Sequence, residues 1–486
     1  MTLDPASCWR AYTSRDRRFI GRFVMGVAST LIYCRPGCPA RLPAIRHARF
    51  YASAAAAEGE GFRPCRRCRP ETAPGTPAAL GTSATVARAL RLIDEGALDE
   101  CSVEALASRL GMTDRWLRML FAEQIGASPH AVAASRRAHL ARRLLEGSTA
   151  SLEDVSLAAG YRSARRMRSE VTRVFRAPPS ALRGRVSRDA PLSLRLAARA
   201  PFDPAPILAF LEVRALPGVE IVSGSTYRRT VALPQGGAVV TLHADEGGIT
   251  LEAPAEAAAA LPQWVARASR VFDLETDAAA VAAHLSEDPR LAKALGGGTV
   301  RVPGAWDGFE VAVRASLGQQ VSVAAARTLA ARLVARVGER LPNETDSLTH
   351  LFPAPEQIAA LPVSAFGVPQ SRAEALRLLA RAVASGELSL SPGTDPAIAR
   401  AKLLSLPGIG PWTADYLMMR ALGEPDAFPA GDLALQRALE SSGRRPSERQ
   451  VTARAERWRP WRAYALIALW RADSARPPRP RRRTAP

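Results

Sequence analysis

Lysine is almost missing from this chain of 486 residues: it occurs at positions 293 and 402, so nearly every basic side chain is arginine. That bias explains arginine in place of lysine, but not why 66 basic residues outnumber 46 acidic ones and leave a net charge of +20. A surplus of that size steers a protein toward polyanions, and nucleic acid is the usual one. Long apolar runs are missing too. The most apolar stretch, residues 205–219, is broken by Pro, Glu and Arg, and falls short of the roughly 18–20 apolar residues that a membrane span needs. The N-terminus carries Asp4, Arg10, Arg15, Asp16, Arg17 and Arg18 without the apolar core of a secretory signal. No membrane partner is expected. A soluble, cytoplasmic protein is expected, in a compartment where thiols stay reduced and clustered cysteines suggest metal or catalysis rather than disulfides.

A chain of this length is too long for one ordinary core, so three or four domains are expected. Residues 1–75 hold most of the cysteines and run into a Pro/Gly/Thr/Ala stretch, 72–82, that reads as a linker. From Ser83 to about Arg185, Ala, Leu and Arg recur at helical spacing, and a second hinge follows at 187–191. Alternating β-branched sequence comes next, at 192–200, 221–233, 238–243 and 249–253, with turns at Gln235-Gly236-Gly237 and Glu246-Gly247-Gly248. From about Pro303 to Asp473 the pattern is helical again.

Four of the six cysteines form one constellation, Cys34-x3-Cys38 followed by Cys65-x2-Cys68. Two close pairs separated by a loop suit tetrahedral thiolate zinc, each pair spanning one edge, so one Zn2+ is expected; unrelated buried thiols are the alternative. Cys8 and Cys101 lie outside the pattern and read as ordinary thiols. Tyr33-Cys34-Arg35-Pro36-Gly37-Cys38, Phe50-Tyr51 and Gly61-Phe62-Arg63-Pro64-Cys65-Arg66-Arg67-Cys68 closely resemble the N-terminal domain of the Ada family. The resemblance implies that Cys34 is both a ligand and the nucleophile that takes a methyl group from a DNA methylphosphotriester, with Cys38, Cys65 and Cys68 as the other ligands. Four thiolates on Zn2+ carry a net charge of about −2, which keeps sulfur deprotonated and electron-rich. Arg35, Arg63, Arg66 and Arg67 would offset that charge and hold the DNA backbone. Methylation removes one negative charge beside the phosphates, so DNA affinity should rise. A purely structural zinc ribbon is the other reading of the motif.

Val103 to Thr113, followed by Arg115 to Phe121, has helix-turn-helix spacing with Gly111 at the turn. A second copy runs from Leu152 to Tyr161 and on from Ser163 to Phe175. The two units, the helix His130–Leu145 between them and the closing Pro178-Pro179-Ser180-Ala181-Leu182-Arg183 resemble the AraC-type DNA-binding domain. By that resemblance Arg115 and Arg118 in the first unit, and Arg162, Arg165, Arg166 and Arg168 in the second, face phosphates and guanine edges. Met167 stands where the family usually has Phe, which is expected to loosen the packing there.

In the C-terminal half, Leu406-Pro407-Gly408-Ile409-Gly410-Pro411-Trp412-Thr413-Ala414 places a Gly-x-Gly turn between two helices. Gly408 and Gly410 would leave backbone amides free for a phosphate and let the DNA backbone come close. Asp432 follows 18 residues after Ala414, in Pro429-Ala430-Gly431-Asp432-Leu433. Hairpin and following Asp resemble the helix-hairpin-helix glycosylase superfamily. Gly318-Gln319-Gln320-Val321-Ser322 and the stretch Trp461 to Trp470 narrow the likeness to the AlkA type, 3-methyladenine DNA glycosylase II. That likeness implies a flipped-out base held among Trp412, Tyr416 and Trp470, whose electron-rich faces favour a cationic alkylated base. It implies Asp432 as the carboxylate that stabilises the oxocarbenium-like sugar. From the residues alone, Asp432 could equally be the N-cap of the helix beginning at Leu433, and both tryptophans could be core. Relatives with lyase activity carry a hairpin lysine where Trp412 stands here, so water is the expected nucleophile. No cysteine follows Cys101, which removes the iron–sulfur cluster of other relatives. Gln320, expected at the DNA, stands where one relative drives in a bulky apolar wedge.

The resemblances cover nearly the whole chain and imply a multidomain α+β protein. A small zinc-bound α/β domain would span 1–75 and an all-α double helix-turn-helix domain 83–186. An antiparallel-sheet α/β domain would span 190–298, an all-α helix-hairpin-helix glycosylase domain 299–473, and a disordered basic tail 474–486. The implied activity is DNA alkylation repair: a monofunctional glycosylase joined to a methyl acceptor that activates transcription. Double-stranded DNA and RNA polymerase are the implied partners of a monomeric, nucleoid-associated chain. A regulator whose glycosylase half is only a DNA-binding scaffold is the alternative. No Pro-Cys-His-Arg motif occurs, so the guanine-O6 methyltransferase half of full-length Ada is absent from this sequence.

Overall fold

The computed structural model describes residues 4–474 apart from 17–18, 69, 71–83, 149, 185–191, 234–235, 346, 392 and 442–443. The expected linker at 72–82, the hinge at 187–191, Gln235 of one expected turn and the tail beyond Ser474 lie outside the described residues.

The first domain folds around a sheet of β1 (Val24–Val27), β2 (Ile32–Cys34), β3 (Ala48–Tyr51) and β4 (Arg63–Pro64), in the order β3-β1-β2-β4. Tyr12, Phe23 and Met25 close a core so small that the four clustered cysteines are part of it. Below roughly 70–80 residues such a core supplies little stability by itself, and natural domains of this size add a metal or disulfides.

The middle region is helical throughout, and its helices start on side-chain caps. Ser102, Thr113, Ser128 and Ser163 each accept an amide of the first turn, and Ser151 with Asp154 forms a reciprocal capping box. The first unit pairs Val103–Arg109 with Asp114–Ile125, and the second pairs Leu152–Ala158 with Ala164–Phe175. The helix Pro129–Gly147 joins them. Met167 is fully buried in the core of the second unit, a place that its unbranched, flexible side chain suits.

Five antiparallel strands follow: β5 (Leu192–Ala197), β6 (Glu220–Ser223), β7 (Thr226–Leu233), β8 (Gly236–Asp245) and β9 (Gly248–Ala253), in the order β5-β9-β8-β7-β6. The alternation expected as one strand over 221–233 is two, because Gly224-Ser225 turns the chain between them. The remaining region is helical as expected except for one hairpin, β10 (Arg340–Thr345) with β11 (Leu348–His350). It is tied to the five-stranded sheet by the Thr230 hydroxyl, which donates to the His350 carbonyl across 2.8 Å.

The second helix-turn-helix unit and the five-stranded sheet share one hydrophobic core, in which Leu144, Leu145 and Phe175 join Leu192, Leu194 and Trp264. Ion pairs also join residues before the hinge to residues after it. Arg88 bonds Asp395 at 2.9 Å and the Gly393 carbonyl at 3.2 Å, Arg270 pairs with Glu95 at 2.6 Å, and Arg22 with Asp277 at 2.7 Å. No helix among the described residues is long and apolar enough to cross a membrane.

Candidate functional site

Cys34 ends β2, and β4 runs parallel beside it: the Arg63 amide donates to the Leu31 carbonyl at 2.8 Å and the Cys65 amide to the Tyr33 carbonyl at 3.0 Å. This pairing sets Cys65 next to Cys34. Gly37, at a φ of +81°, turns the chain sharply so that the Cys38 amide reaches back to the Arg35 carbonyl at 3.2 Å. Cys34, Cys38, Cys65 and Cys68 are all buried, and their sulfurs lie within 4.8 Å of one another. A zinc ion with Zn–S bonds of about 2.3 Å asks for sulfur separations of about 3.8 Å, so this donor set suits it. Arg35 and Arg63 are half-buried beside the cluster, and Arg66 and Arg67 are exposed.

Behind Cys34 runs a buried polar contact that sequence reading did not anticipate. The Tyr33 hydroxyl donates to Glu58 Oε1 at 2.9 Å, and His139 Nε2 of the joining helix lies 2.7 Å from the same oxygen. Burial alone would raise the Glu58 carboxyl. The charge of His139 and hydrogen bonds from His139, Tyr33 and Ser135 outweigh it and hold the group below the ordinary glutamate value.

On the first recognition helix Arg115 and Arg118 are exposed, together with Trp116 and Met119. Arg118 already pairs with Glu104 at 3.1 Å and Asp114 at 3.4 Å. In the second unit Arg162, Arg165, Arg166 and Arg168 are exposed while Met167 and Val171 point inward, as helical periodicity requires.

The Gly-x-Gly turn joins the helices Pro396–Ser405 and Pro411–Arg420. Gly408 has a φ of +81°, and a Cβ on it would meet the Ala375 methyl at 2.7 Å. A Cβ on Gly410 would meet nothing within 4 Å, so that face is open. Gly410 caps the second helix without a side-chain bond, and Pro411 supplies no N–H, which leaves the amides of the next residues to face outward.

Asp432 is the N-cap of the helix Leu433–Ala438, accepting the Leu435 amide on Oδ1 at 2.7 Å. The same oxygen accepts the indole N–H of Trp470 at 2.8 Å, and Oδ2 accepts that of Trp412 at 2.9 Å. The cap bond aims a carboxylate that is 8% exposed into a cavity of about 1280 Å³ lined by Trp412, Tyr416 and Trp470. Trp412 and Tyr416 stack with ring centroids 5.1 Å apart and planes 9° from parallel, and Trp470 lies 6.4 Å from Tyr416.

Family profiles match four successive stretches of the chain. The metal binding domain of Ada covers residues 7–71, a helix-turn-helix domain 106–185, the AlkA N-terminal domain 193–307, and the HhH-GPD superfamily base excision DNA repair protein 313–462. The "Probable bifunctional transcriptional activator/DNA repair enzyme AlkA" of Mycobacterium tuberculosis is 42% identical over 472 residues, 95% of each chain. The chain belongs to this bifunctional Ada/AlkA family. Other relatives match the two parts separately. DNA-3-methyladenine glycosylase 2 of Escherichia coli is 38% identical over 57% of this chain and 96% of its own. The Ada enzyme of Escherichia coli is 37% identical over 32% of this chain and 42% of its own. The 3-methyladenine DNA glycosylase structure from Archaeoglobus fulgidus, at 24% identity, has the same fold over 57% of this chain and 97% of its own, with a TM-score of 0.50.

In this member of the Ada/AlkA family, Gln320 is exposed and adopts a left-handed φ of +59° beside the hairpin. Its neighbour Gln319, which sequence reading passed over, fastens the two segments together: Nε2 donates to the Gly408 carbonyl at 2.9 Å and to the Thr413 hydroxyl at 3.2 Å. Arg420 was missed as well. It lines the same cavity, bonded to the Tyr416 hydroxyl at 2.8 Å. Its spacing of four residues from Tyr416 on one helix was the available signal.

Proposed function

We propose that this protein repairs alkylated DNA in two ways and reports the damage to transcription. The helix-hairpin-helix part hydrolyses the N-glycosidic bond of alkylated bases such as 3-methyladenine, without a lyase step. The target nucleotide leaves the stack at a cost of a few kcal/mol and its base enters the cavity among Trp412, Tyr416 and Trp470. As the C1′–N bond breaks, its electron pair leaves with the base. The Asp432 carboxylate faces the positive charge that develops on the sugar, and water supplies the hydroxyl group to C1′. The amides after Gly410 and the exposed Gln320 would hold the DNA.

The N-terminal cluster would bind one zinc ion through Cys34, Cys38, Cys65 and Cys68; bound zinc keeps thiolate available at neutral pH. The Cys34 sulfur forms a bond to the methyl carbon of a methylphosphotriester while the O–CH3 bond breaks, its electrons remaining on the restored phosphodiester. Arg115, Arg118, Arg162, Arg165 and Arg166 would contact promoter DNA, with RNA polymerase as the further partner of a monomeric, cytoplasmic protein associated with the nucleoid.

The observation that carries this reading is the convergence of three N–H donors on Asp432 inside an aromatic cavity. A structural N-cap needs only one of them. Single-turnover release of 3-methyladenine tests it. Asp432→Asn keeps the cap and is expected to lower the rate at least ~100-fold with little change in DNA binding; near-parental release would refute the assignment.

A further inference from the structure

Both recognition helices end against the first domain, at opposite ends of one short helix. The first, Asp114–Ile125, presents its last carbonyl, that of Ile125, to the Ser53 hydroxyl at 3.0 Å. Ser53 is also the N-cap of the helix Ala54–Gly59, and its hydroxyl oxygen accepts the Ala56 amide at 3.1 Å. The second, Ala164–Phe175, stops at Arg176, whose Nη2 donates to the Gly61 carbonyl at 2.8 Å. Gly61 belongs to the turn that closes the helix Ala54–Gly59: its amide donates to the Glu58 carbonyl at 3.1 Å, and the Phe62 amide to the Ala57 carbonyl at 3.0 Å. Six residues of helix span about 9 Å, so one short rod stands between the ends of the two reading helices.

The two helix-turn-helix copies differ where this contact is made. Each recognition helix stops on a residue in the left-handed conformation, Gly126 at a φ of +72° in the first copy and Arg176 at +50° in the second. Glycine suits that position because a Cβ is disfavoured there. The second copy accepts the unfavourable backbone for the sake of a side chain, and what that side chain reaches is the first domain. The preceding residue adds a buried route. Phe175 meets the His139 ring edge-on with centroids 5.3 Å apart, and His139 Nε2 lies 2.7 Å from Glu58 Oε1, near the C-terminal end of the same rod. The helix Pro129–Gly147, which carries His139, already joins the two units. The rod braces them a second time.

We propose that the helix Ala54–Gly59 is a spacer that sets the separation of the two recognition helices, and that Ser53, Glu58 and Arg176 are positioning residues that make promoter recognition depend on the spacing of two DNA segments. The proposal rests on the promoter-DNA reading above and adds to it a determinant of specificity that touches no base. Two reading helices on one face of a duplex enter major-groove segments about 34 Å apart. A braced pair fits one spacing, and a loose pair tolerates several. Loosening also weakens binding to the fitting duplex, because the two units must then be ordered as they bind.

The probe is a duplex that the full chain, after incubation with methylphosphotriester DNA, selects from a random-sequence library, and in which footprinting marks two protected segments. Inserting two base pairs between them turns one segment by about 70° relative to the other. The parent is expected to bind the inserted duplex at least ~100-fold more weakly than the selected one. Arg176→Gly keeps the left-handed turn, which glycine favours, and removes the latch, so this ratio of affinities should shrink ~10-fold. Ser53→Ala and Glu58→Gln should shrink it in the same direction. Release of 3-methyladenine by Arg176→Gly should stay at the parental rate. A side chain that merely touched a phosphate would weaken both duplexes together and leave the ratio where it was. A ratio in Arg176→Gly within threefold of the parent overturns the proposal. So does a parent that binds both duplexes equally or protects a single segment, and in that case the promoter-DNA reading itself stands. A chain that selects no duplex overturns that reading.

Discussion

Trp470 and Asp432 stand 38 residues apart in the chain, yet the Trp470 indole N–H donates to Asp432 Oδ1 across 2.8 Å. The same oxygen accepts the Leu435 amide, and Oδ2 accepts Trp412. The carboxylate is held from both sides, and the two tryptophans are at once walls of the cavity and its positioning groups. A hydrogen bond to a charged group contributes roughly 1.5–3 kcal/mol. Trp470→Phe keeps an aromatic wall and removes the bond, so release of 3-methyladenine should fall ~10- to 100-fold. A loss of less than twofold in single-turnover assays would show that Trp412 and the cap bond suffice.

Trp412 occupies the hairpin position at which a lysine would form a Schiff base. Borohydride is therefore expected to trap no covalent adduct with damaged DNA. Abasic strands should stay intact until alkali or a separate endonuclease is added. A trapped adduct on the C-terminal half would mean that an amine outside the hairpin does the chemistry.

The cysteine cluster predicts one zinc per chain, measured by metal analysis of the full-length protein. Replacing Cys38, Cys65 or Cys68 should release the metal and unfold the first domain, whose small core includes the ligands themselves. Cys34→Ser should abolish methyl transfer. Mass spectrometry after incubation with methylphosphotriester DNA should find the methyl group on Cys34. The methylated protein should bind specific DNA more tightly, with an advantage that shrinks as salt rises. Methylation without a change in affinity would separate repair from signalling.

Glu220, the first residue of β6, reaches the helix Gly308–Leu317, bonded to Arg314 at 2.8 Å, and bonds the Tyr227 hydroxyl at 2.6 Å. Burial opposes its charge, but Arg314 and Arg229 outweigh that and bring its value from the ordinary 4.5 down to about 2. A depressed folded-state value contributes stability above the unfolded value and loses it as the pH falls toward the folded one. Glu220→Gln should destabilise by roughly 3–5 kcal/mol near neutral pH, since it leaves buried arginines short of a partner. Denaturant titrations should show that gap narrowing as pH falls below about 4.5 toward about 2. A gap that is constant with pH would mean that Glu220 acts by shape alone.

The chemistry-bearing residues were legible in the sequence because their signals are local. Cysteine spacing marks a ligand set, a Gly-x-Gly between helical stretches marks a hairpin, and helical periodicity separates exposed Arg165 and Arg166 from buried Met167. The ambiguity over Asp432 was also real: one carboxylate makes the cap bond and the cavity contacts together, with Oδ1 accepting both the Leu435 amide and the Trp470 indole, so local sequence could not choose between them. The β10–β11 hairpin escaped notice because Pro342 and Asn343 interrupt any alternation, and the hairpin is anchored by distant partners such as Thr230.

Residue type and spacing alone therefore determined that this chain carries a thiolate cluster, two helix-turn-helix units and a hairpin with a following carboxylate. Tertiary structure decided what those parts touch. It drew Trp412 and Trp470 onto Asp432, put Arg420 on the Tyr416 hydroxyl, and set Glu58 against His139 behind the cysteines. It also packed Leu144 and Leu145 into one core with Leu192 and Leu194, across a boundary that the sequence marks as a hinge. The reason is physical. A hydrogen bond or a buried apolar contact is made at a few ångströms, and which distant residues come that close depends on how whole elements bury their apolar faces, which no local pattern records.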